Sequence, residues 1–335
     1  MPTAKSIVTA AALRNVSIYF SSPEFVADQV FPIMNINDPT AKITKYLESD
    51  FFRNDAGPRG EGSQARRGSF KTTEVTYNCI EYAFASPVTD ELRRNSAKLS
   101  AQPLLPDQDA VELCKRKVMM NREGKLFSLV TGSTWADGTS GGTDMAGGWN
   151  ASASVNTFIS SIDTAKLTLA SRGIVGGGDM EIRLIMDDLT FAQIKEISRV
   201  RDQFKYTSAE SITPDMIARM LDIDKVIVTK AVHNTAKETK AGTEFTSVRF
   251  FDSAGTSAHG VAFLYAYPKS IKPRMLCAGL MTRDKFDASE GGGFERVMKW
   301  REAGNHQDVY EVAENRDEIQ IAATAGYLFK DTITT

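Results

Sequence analysis

The sequence feature that most constrains the fold is a long polar segment between two stretches that are typical of β-strands. Residues 55–70 are DAGPRGEGSQARRGSF, with four glycines, one proline and three arginines. Residues 41–54 begin like a strand, and residues 69–84, SFKTTEVTYNCIEYAF, are rich in β-branched and aromatic side chains. The pattern predicts a long two-stranded hairpin over 41–86 with an outsized tip, residues 55–70, which we call the finger.

The hairpin needs support, because an isolated two-stranded hairpin is marginal in water. We therefore expect it to lie on another surface. The apolar positions of its second strand change phase near residue 79, as a β-bulge would produce. The positions before the change are Thr73, Val75, Tyr77 and Cys79, and those after it are Ile80, Tyr82 and Phe84.

Three arginines in the finger, Arg59, Arg66 and Arg67, form a modest basic cluster, and Phe70 lies at its end. Such a cluster suits contact with phosphate, contact with an acidic patch on a neighbouring chain, or a solvated tip. Because connections of this length are usually functional when they are ordered, we favour contact with a neighbouring chain.

Residues 1–40 predict an extended arm. The apolar anchors of this segment, Phe25, Val30 and Phe31 among them, follow no sustained period, and its prolines interrupt any helix. A segment of this kind buries little against itself, so it needs another surface on which to pack.

Residues 106–131 predict the longest helix of the chain, with Asp107 as N-cap and Gly132 as the stop signal. About 24 helical residues would span roughly 36 Å, which is long for a small domain. One stripe of this helix consists of Val111, Cys114, Val118, Lys125 and Leu129, whereas Lys115, Arg116, Lys117, Arg122 and Glu123 are expected on its other faces.

Residues 133–154, which include Trp135 and Trp149, are rich in glycine and serine and predict a loop. Residues 156–284 then alternate between helical and strand patterns and predict one α/β unit. An amphipathic helix begins near Phe158, a buried strand covers MEIRLIMD at 180–187, and Thr213 with Pro214 marks another helix start.

The last part of the chain predicts strands at 294–302, 308–314 and 319–329. No helical pattern separates these strands, so we expect them to pair antiparallel. The order of elements is therefore arm, hairpin, long helix, α/β block and terminal strands, within an α+β chain of 335 residues.

Composition excludes several classes of protein. The chain is 42% hydrophobic and 24% charged, its formal net charge is −2, and no apolar run approaches the length of a membrane-spanning helix. The three cysteines are scattered, which is typical of unpaired thiols in a reducing compartment. The balanced charge argues against a dedicated nucleic-acid binder but not against a protein that encloses nucleic acid.

The motifs that resemble catalytic signatures lack the sequence context that they need. Ser140 lies in GTSGG, a G-x-S-x-G match, but loop-like residues flank it where a strand and a helix are required. The glycine runs at 173–178 and 290–294 are interpreted as linkers, and Asp187 or Asp188 as a helix cap. The three histidines have no metal-ligand spacing, so we expect no metal, no cofactor and no catalytic residue.

The order of elements resembles the major capsid protein of tailed bacteriophages, which has the Hong Kong 97-like fold. The resemblance lies in PEFVADQVFPIMNI (23–36), KYLESDFFRNDAGPRGEG (45–62), FKTTEVTYNCIEYAF (70–84) and IARMLDIDKVIVTKAVHNTA (217–236). It implies an N-terminal arm at 1–40, an extended hairpin loop at 41–86, and a central α/β axial domain at 156–284. It also implies a peripheral domain made of 87–155 and 285–335, with the spine helix at 106–131.

The resemblance implies a structural protein that assembles into pentamers and hexamers of an icosahedral shell around double-stranded DNA. The expected location is the virion, after assembly in the host cytoplasm and without any membrane. A portal protein and a separate scaffolding protein are the expected partners, with a decoration protein as an optional addition. The scaffolding protein is expected to be separate because the chain starts with methionine and almost directly with the arm; removal of a scaffolding segment from a precursor is the alternative. The finger contains no lysine, so the resemblance gives no basis for a covalent cross-link there.

On this reading the arm and the hairpin lie on adjacent subunits. The residues expected at intersubunit contacts are Phe25, Val30, Phe31, Arg59, Arg66, Arg67, Phe70, Trp135 and Trp149, with local packing an equal alternative for the two tryptophans. The alternatives for the function are an encapsulin-like shell around protein cargo, a serine hydrolase that uses Ser140, and a monomeric binding module.

Overall fold

The computed structural model describes residues 25–97, 105–151, 156–173, 180–204, 212–237, 245–252, 258–270, 276–286 and 294–334. The α-helices within these residues are α1 Ala27–Val30, α2 Glu48–Phe51, α3 Asp90–Ala97, α4 Pro106–Gly132, α5 Phe158–Ser171, α6 Asp188–Ile194, α7 Ser198–Phe204 and α8 Pro214–Met220.

The strands within the described residues form two five-stranded sheets and three two-stranded ladders. They are β1 Ile33–Ile36, β2 Thr40–Tyr46, β3 Thr72–Asn78, β4 Ile80–Thr89, β5 Thr143–Asp144, β6 Met180–Asp187, β7 Lys225–Thr229, β8 Val232–Asn234, β9 Ser247–Arg249, β10 Ala258–His259, β11 Ala262–Pro268, β12 Gly279–Asp284, β13 Glu295–Glu302, β14 Gln307–Gln320, β15 Gly326–Lys330 and β16 Ile333–Thr334.

The long helix α4, the spine helix, packs on the first five-stranded sheet, which we call the spine sheet. This sheet has the order β1-β12-β14-β13, and β4 pairs with the opposite edge of β14. Cys114 and Val118 of the helix form a buried cluster with Val312 of β14. The 27 residues of the helix correspond to roughly 40 Å, and the helix lies mainly against β4 and β14 of this sheet.

The second five-stranded sheet, the central sheet, has the order β5-β15-β11-β6-β7. Its inner strands β6 and β11 are antiparallel, and most of their side chains are buried. Helix α5 contributes Phe158, Ile162 and Leu169 to the core at helical spacing, as the sequence predicts.

The predicted helix caps of the α/β block are confirmed. Asp187 accepts a hydrogen bond from the backbone N–H of Thr190 at 3.2 Å, at the start of α6. Thr213 accepts one from Met216 N–H at 3.4 Å, and Pro214 occupies the first turn of α8. Both caps satisfy donors that a helix leaves without an internal partner.

The hairpin is confirmed over part of its predicted length. Strands β2 and β3 pair antiparallel, with Tyr46 opposite Thr72 at the end nearest the finger. The prediction that the hairpin continues to residue 86 is wrong, because β4 pairs with β14 of the spine sheet instead. The change of phase near Cys79 therefore marks the passage of the chain from one sheet to another.

The terminal strands also differ from the expectation. Strands β13 and β14 pair antiparallel as expected, but the predicted third strand at 319–329 is divided between β14 and β15. Strand β15 belongs to the central sheet, and β12 belongs to the spine sheet. Strand pairing thus crosses the boundary between residues 284 and 285, at which the sequence predicts that the axial domain ends and the peripheral domain resumes.

Candidate assembly surfaces

Two hydrogen bonds close the base of the finger, at the point where the chain leaves strand β2 and returns to strand β3. Leu47 N–H donates to the carbonyl of Lys71 at 3.0 Å, and Lys71 N–H donates to the carboxylate of Asp50 at 2.8 Å. Residues 51–71 are all exposed beyond this closure. The finger therefore projects from the chain without a core of its own.

The tip of the finger is ordered by a local turn. Ser63 donates to the carbonyl of Gly60 from its backbone N–H at 3.1 Å and from its hydroxyl at 2.8 Å. Arg59 Nε donates to the carbonyl of Ser63 at 2.7 Å, which holds this side chain across the turn. Arg66 and Arg67 are exposed further along the finger, so all three arginines remain accessible.

The base of the finger carries an exposed aromatic patch. Phe51, Phe52 and Phe70 are 61%, 66% and 60% exposed, and Leu47 next to them is 38% exposed. The rings of Phe51 and Phe70 lie 5.5 and 5.2 Å from the ring of Tyr46, both close to edge-on. We call Leu47, Phe51, Phe52 and Phe70 the finger-base patch. Contiguous exposed apolar surface of this kind is typical of interaction sites.

The root of the hairpin, unlike the finger, is fixed to its own chain. Tyr77 is buried in a small cluster with Leu280 and Ile319 of the spine sheet. Lys45 Nζ donates to the carbonyl of Ile321 at 2.8 Å, and Asn78 N–H donates to the carboxylate of Asp317 at 2.8 Å. The exposed patch is thus presented on a firmly attached base.

The arm packs inside its own chain, which corrects two predicted contacts. Val30 and Phe31 are both 0% exposed and belong to the main core. The Phe31 ring meets Tyr265 edge-on at 6.4 Å between centroids, and it lies so close to Gly279 that a Cβ there would come within 2.4 Å of it. Neither side chain has surface left for a neighbouring chain, whereas Phe25 is only half-buried and its contact stays a prediction.

A buried carboxylate of the spine helix caps the short arm helix α1. The backbone N–H groups of Val26 and Ala27 donate to Glu123 at 3.2 and 2.8 Å. Glu123 is 0% exposed, and this burial raises the pKa of its carboxyl to about 7, although the two hydrogen bonds act in the opposite direction. The sequence places Glu123 on a polar face of the helix, so this role was missed.

A charge network beside Glu123 also holds the arm. Asp28 of the arm pairs with Arg122 of the spine helix at 2.7 Å and with Arg283 of β12 at 3.2 Å. Both arginines also pair with Glu314 of β14, at 2.7 and 2.9 Å. Because buried charges are tolerated only when they are paired, this network couples the arm to the spine helix and sheet.

The two tryptophans have local packing roles. Trp135 is 2% exposed and donates from Nε1 to the carbonyl of Val130 at 2.8 Å. Trp149 is 0% exposed and donates from Nε1 to the hydroxyl of Ser161 at 2.9 Å. Of the two roles that the sequence leaves open for these tryptophans, the burial of both indoles in the chain's own core favours local packing.

The outer strands of the spine sheet form a second candidate surface. On β13, Val297, Met298 and Trp300 are 55%, 42% and 37% exposed, and on β4 Ile80 and Phe84 are 52% and 39% exposed. Each of these strands pairs only with β14 among the described residues. Both flanks of the sheet therefore present apolar side chains beside an unpaired strand edge.

The serine of the G-x-S-x-G match lies in an irregular loop. Ser140 is exposed, forms an isolated antiparallel bridge with Thr134, and is followed by the two-residue strand β5. A nucleophile elbow requires a strand before the serine and a helix directly after it. The local geometry is therefore that of a surface loop.

The three histidines lie in separate places. His233 stacks on Phe250 at 4.4 Å, His259 lies 3.6 Å from Asp252, and His306 adopts a left-handed conformation in the turn between β13 and β14. Within the residues that the structure describes, no group of three or more His, Cys, Asp or Glu side chains could hold a metal ion. Among the described helices, none combines the length and apolarity that a bilayer crossing requires.

Comparisons of this chain by sequence find no match, whereas comparisons by structure find similar proteins. No family model matches the chain. No curated protein matches it either. By contrast, a phage-related protein from Bordetella bronchiseptica RB50 has a similar structure, with a TM-score of 0.61 at 18% identity over 92% of each chain.

Two further solved structures with a similar fold are a cyanophage capsid and an encapsulin complex. The capsid of the cyanophage P-SCSP1u gives a TM-score of 0.62 at 8% identity, over 94% of this chain and 90% of that chain. An encapsulin complex from Synechococcus elongatus PCC 7942 gives a TM-score of 0.51 at 9% identity, over 97% of this chain and 96% of that chain. Identities this low show a shared fold: the chain has the α+β, Hong Kong 97-like fold of phage capsid proteins, as its sequence predicts.

Proposed function

We propose that this protein is the major capsid subunit of a tailed bacteriophage. Many copies would form pentamers and hexamers and close into an icosahedral shell. Support comes from the fold, which this chain shares over at least nine-tenths of its length with a phage capsid protein. The proposal extends that likeness from fold to function.

The observation that carries the proposal is the finger and the patch at its base. Residues 51–71 are exposed throughout, yet the hairpin below them is anchored to the spine sheet. The finger-base patch leaves three phenylalanines more than half exposed, which is costly for a chain that stays monomeric. In a shell, this patch and the arginines of the finger would lie across an adjacent copy.

Symmetry explains why one repeated contact is sufficient. A contact between two different surfaces of identical chains generates a ring when the rotation closes, and rings of five and six build a shell. The flanks of the spine sheet supply the second apolar surface that such a contact requires. A weakly charged chain with net charge −2 can surround double-stranded DNA without gripping any sequence.

The proposed setting is the virion, after assembly in the host cytoplasm. A separate scaffolding protein would set the curvature of the shell, and a portal protein would occupy one vertex. A decoration protein on the outer surface is a further possible partner within this proposal. No catalytic residue and no cofactor form part of it.

The second candidate function is an encapsulin-like shell around protein cargo, because an encapsulin shares the fold at comparable coverage. The content of purified particles separates the two functions. Nuclease-resistant DNA inside the particles supports the capsid, and a co-purifying enzyme without DNA supports the compartment. For a hydrolase that uses Ser140, an esterase or peptidase activity abolished by Ser140→Ala would be the required observation.

The test of the proposal is the particle mass and shape of the expressed protein, with and without the products of neighbouring genes. Light scattering and negative-stain electron microscopy should show rings of five or six subunits, or hollow polyhedral particles. Replacing residues 56–68 by a short glycine-serine turn should abolish the particles. The thermal unfolding of the variant should remain that of the wild type, because these residues have no intrachain core.

A well-behaved monomer of 36.8 kDa under every condition would overturn the proposal. The same holds if the shortened finger assembles as well as the wild type. A matched control, Arg199→Ala, changes an exposed cation of α7, outside the finger, and should leave assembly unaltered.

A further inference from the structure

A groove lies between the spine helix and the β8–β9 hairpin, and of the residues expected at shell contacts only Phe25 lines it. It has a volume of about 790 Å³. Leu113, Lys117 and Met120 line the helix side, one turn after another, and Phe245 and Phe250 line the hairpin side. These helix residues lie beside the buried stripe with Cys114 and Val118, about a quarter of a turn around the helix from it.

The wall of the groove is set by a close helix–hairpin contact. A Cβ on Gly124, in the middle of the spine helix, would lie 3.0 Å from the ring of Phe250. Glycine inside a helix costs up to about 1 kcal/mol relative to alanine, and here it lets the hairpin approach the helix closely. His233 stacks on the ring of Phe250, with 4.4 Å between the ring centroids, which fixes the ring in the wall.

The lining combines exposed apolar surface with positive charge. Leu113 and Phe245 are 43% and 68% exposed. Arg116, Lys117 and Lys125 add three cations, and no aspartate or glutamate lines the groove among the residues that the structure describes. A complementary ligand would offer apolar side chains in the middle and carboxylates at its edges.

We propose that this groove binds an acidic amphipathic helix of a partner protein. An amphipathic helix places apolar anchors at i, i+3, i+4 and i+7 into a groove, and its flanking carboxylates would meet the lysines. DNA is a poorer match, because phosphate gains nothing from exposed leucine and phenylalanine side chains. The chain's own residues 1–24 are also a poor match, since Lys5 and Arg14 against Glu24 leave them positive.

This proposal goes beyond the shell function, because peptide binding can be measured on a chain that forms no particles. The probe is a fluorescein-labelled synthetic helix of about 18 residues, or five turns, with leucines on one face and glutamates beside them. Fluorescence anisotropy with the full chain should give saturable binding. The same peptide with lysine in place of each glutamate should bind at least about tenfold more weakly.

The variants are chosen to separate groove binding from general charge. Lys117→Glu with Lys125→Glu should weaken binding of the acidic peptide about tenfold or more, and Phe245→Ala should weaken it about fivefold. The matched control is Lys115→Glu on the same helix, where the lysine lies outside the groove and 3.5 Å from Glu295. This control should retain the wild-type affinity.

Several results would overturn the proposal. The first is that the acidic peptide shows no saturable binding. The second is that Lys115→Glu loses as much affinity for this peptide as the double variant does. A double-stranded DNA oligonucleotide that binds through Lys117 and Lys125 while the peptide does not would assign the groove to nucleic acid. Binding that appears only after removal of residues 1–24 would assign it to the chain's own first residues.

Discussion

The arm and the finger look alike in sequence and differ in structure. Both lack a regular apolar period, both carry phenylalanine close to a proline or a glycine, and both are expected from the sequence to pack on a neighbouring chain. Phe31 of the arm is 0% exposed, whereas Phe70 at the end of the finger is 60% exposed. The arm found its missing core within the same chain, and the finger did not.

The difference teaches that an apolar residue in an irregular segment needs another surface to bury it. The residue itself does not indicate whether that surface belongs to the same chain or to a neighbouring one. The cover of the arm comes from distant parts of the same chain: the glycine at 279, the ring of Tyr265 and the buried carboxylate of Glu123. At the base of the finger, Phe70 meets only Tyr46 and Phe51 among the aromatic rings of the described residues, and Phe52, which lies against Gly173, is still 66% exposed. Three predictions test whether this division between internal and external packing is real.

The largest expected effect is that of Phe31→Ala on the isolated chain. Removal of a fully buried phenylalanine costs about 3–5 kcal/mol, because the transfer energy is lost and a cavity remains. The free energy of unfolding from urea titrations should fall by this amount. Phe70→Ala, the same change in the finger, is the matched control and should alter it by less than about 1 kcal/mol. Equal losses of unfolding free energy in the two variants would contradict the distinction between a finger without an intrachain core and an arm that packs within the chain.

The second prediction concerns pH and the carboxyl of Glu123. Its pKa is about 7 in the folded chain and near 4.5 when exposed, so its contribution to stability is present below pH 4.5 and is lost as pH rises through 7. From pH 5 to 8, the free energy of unfolding of the wild type should fall by about 2–3 kcal/mol relative to Glu123→Gln.

Two features make the pH comparison specific. Asp187 is also buried, which raises the pKa of its carboxyl to about 6, but this residue is present in both proteins and cancels in the difference. Glu112→Gln, an exposed change on the same helix, should follow the pH profile of the wild type. Parallel profiles for the wild type and Glu123→Gln would contradict the assignment of Glu123 as the proton-linked cap of the arm.

The smallest expected effect on the isolated chain comes from Phe51→Ala with Phe70→Ala in the finger-base patch. Both rings are mostly exposed, so the free energy of unfolding should change by about 1 kcal/mol or less. Particle yield, measured by sedimentation and electron microscopy, should fall strongly because the patch is lost. A variant that unfolds much more easily, or one that assembles normally, would show that the patch serves the monomer.

The spine helix shows how far local pattern carries the prediction. Its length and the buried positions Cys114 and Val118 follow from helical spacing, and they are confirmed. Glu123 was assigned to a polar face, since a charged residue is rarely buried alone. Its burial depends on the arm, which supplies two N–H donors from residues almost a hundred positions earlier. No local pattern contains that pairing.

The hairpin shows the same limit for strands. The change of apolar phase near Cys79 was visible, and the interpretation as a bulge was the simplest local one. The structure instead moves the chain from the β2–β3 ladder to a place beside β14. The partner strand lies more than two hundred residues later, so alternation of side chains indicates a strand but not its neighbour.

What the sequence determined by itself is the set of elements and their order: arm, hairpin with finger, spine helix, α/β block and terminal strands. These features follow from spacing, caps and turn residues, all of which act over a few residues. The tertiary structure alone decided which apolar side chains are covered within the chain, as Phe31 and Trp149 are, and which remain exposed, as Phe70 does. The reason is physical: burial is non-directional and depends on which distant surface arrives to exclude water.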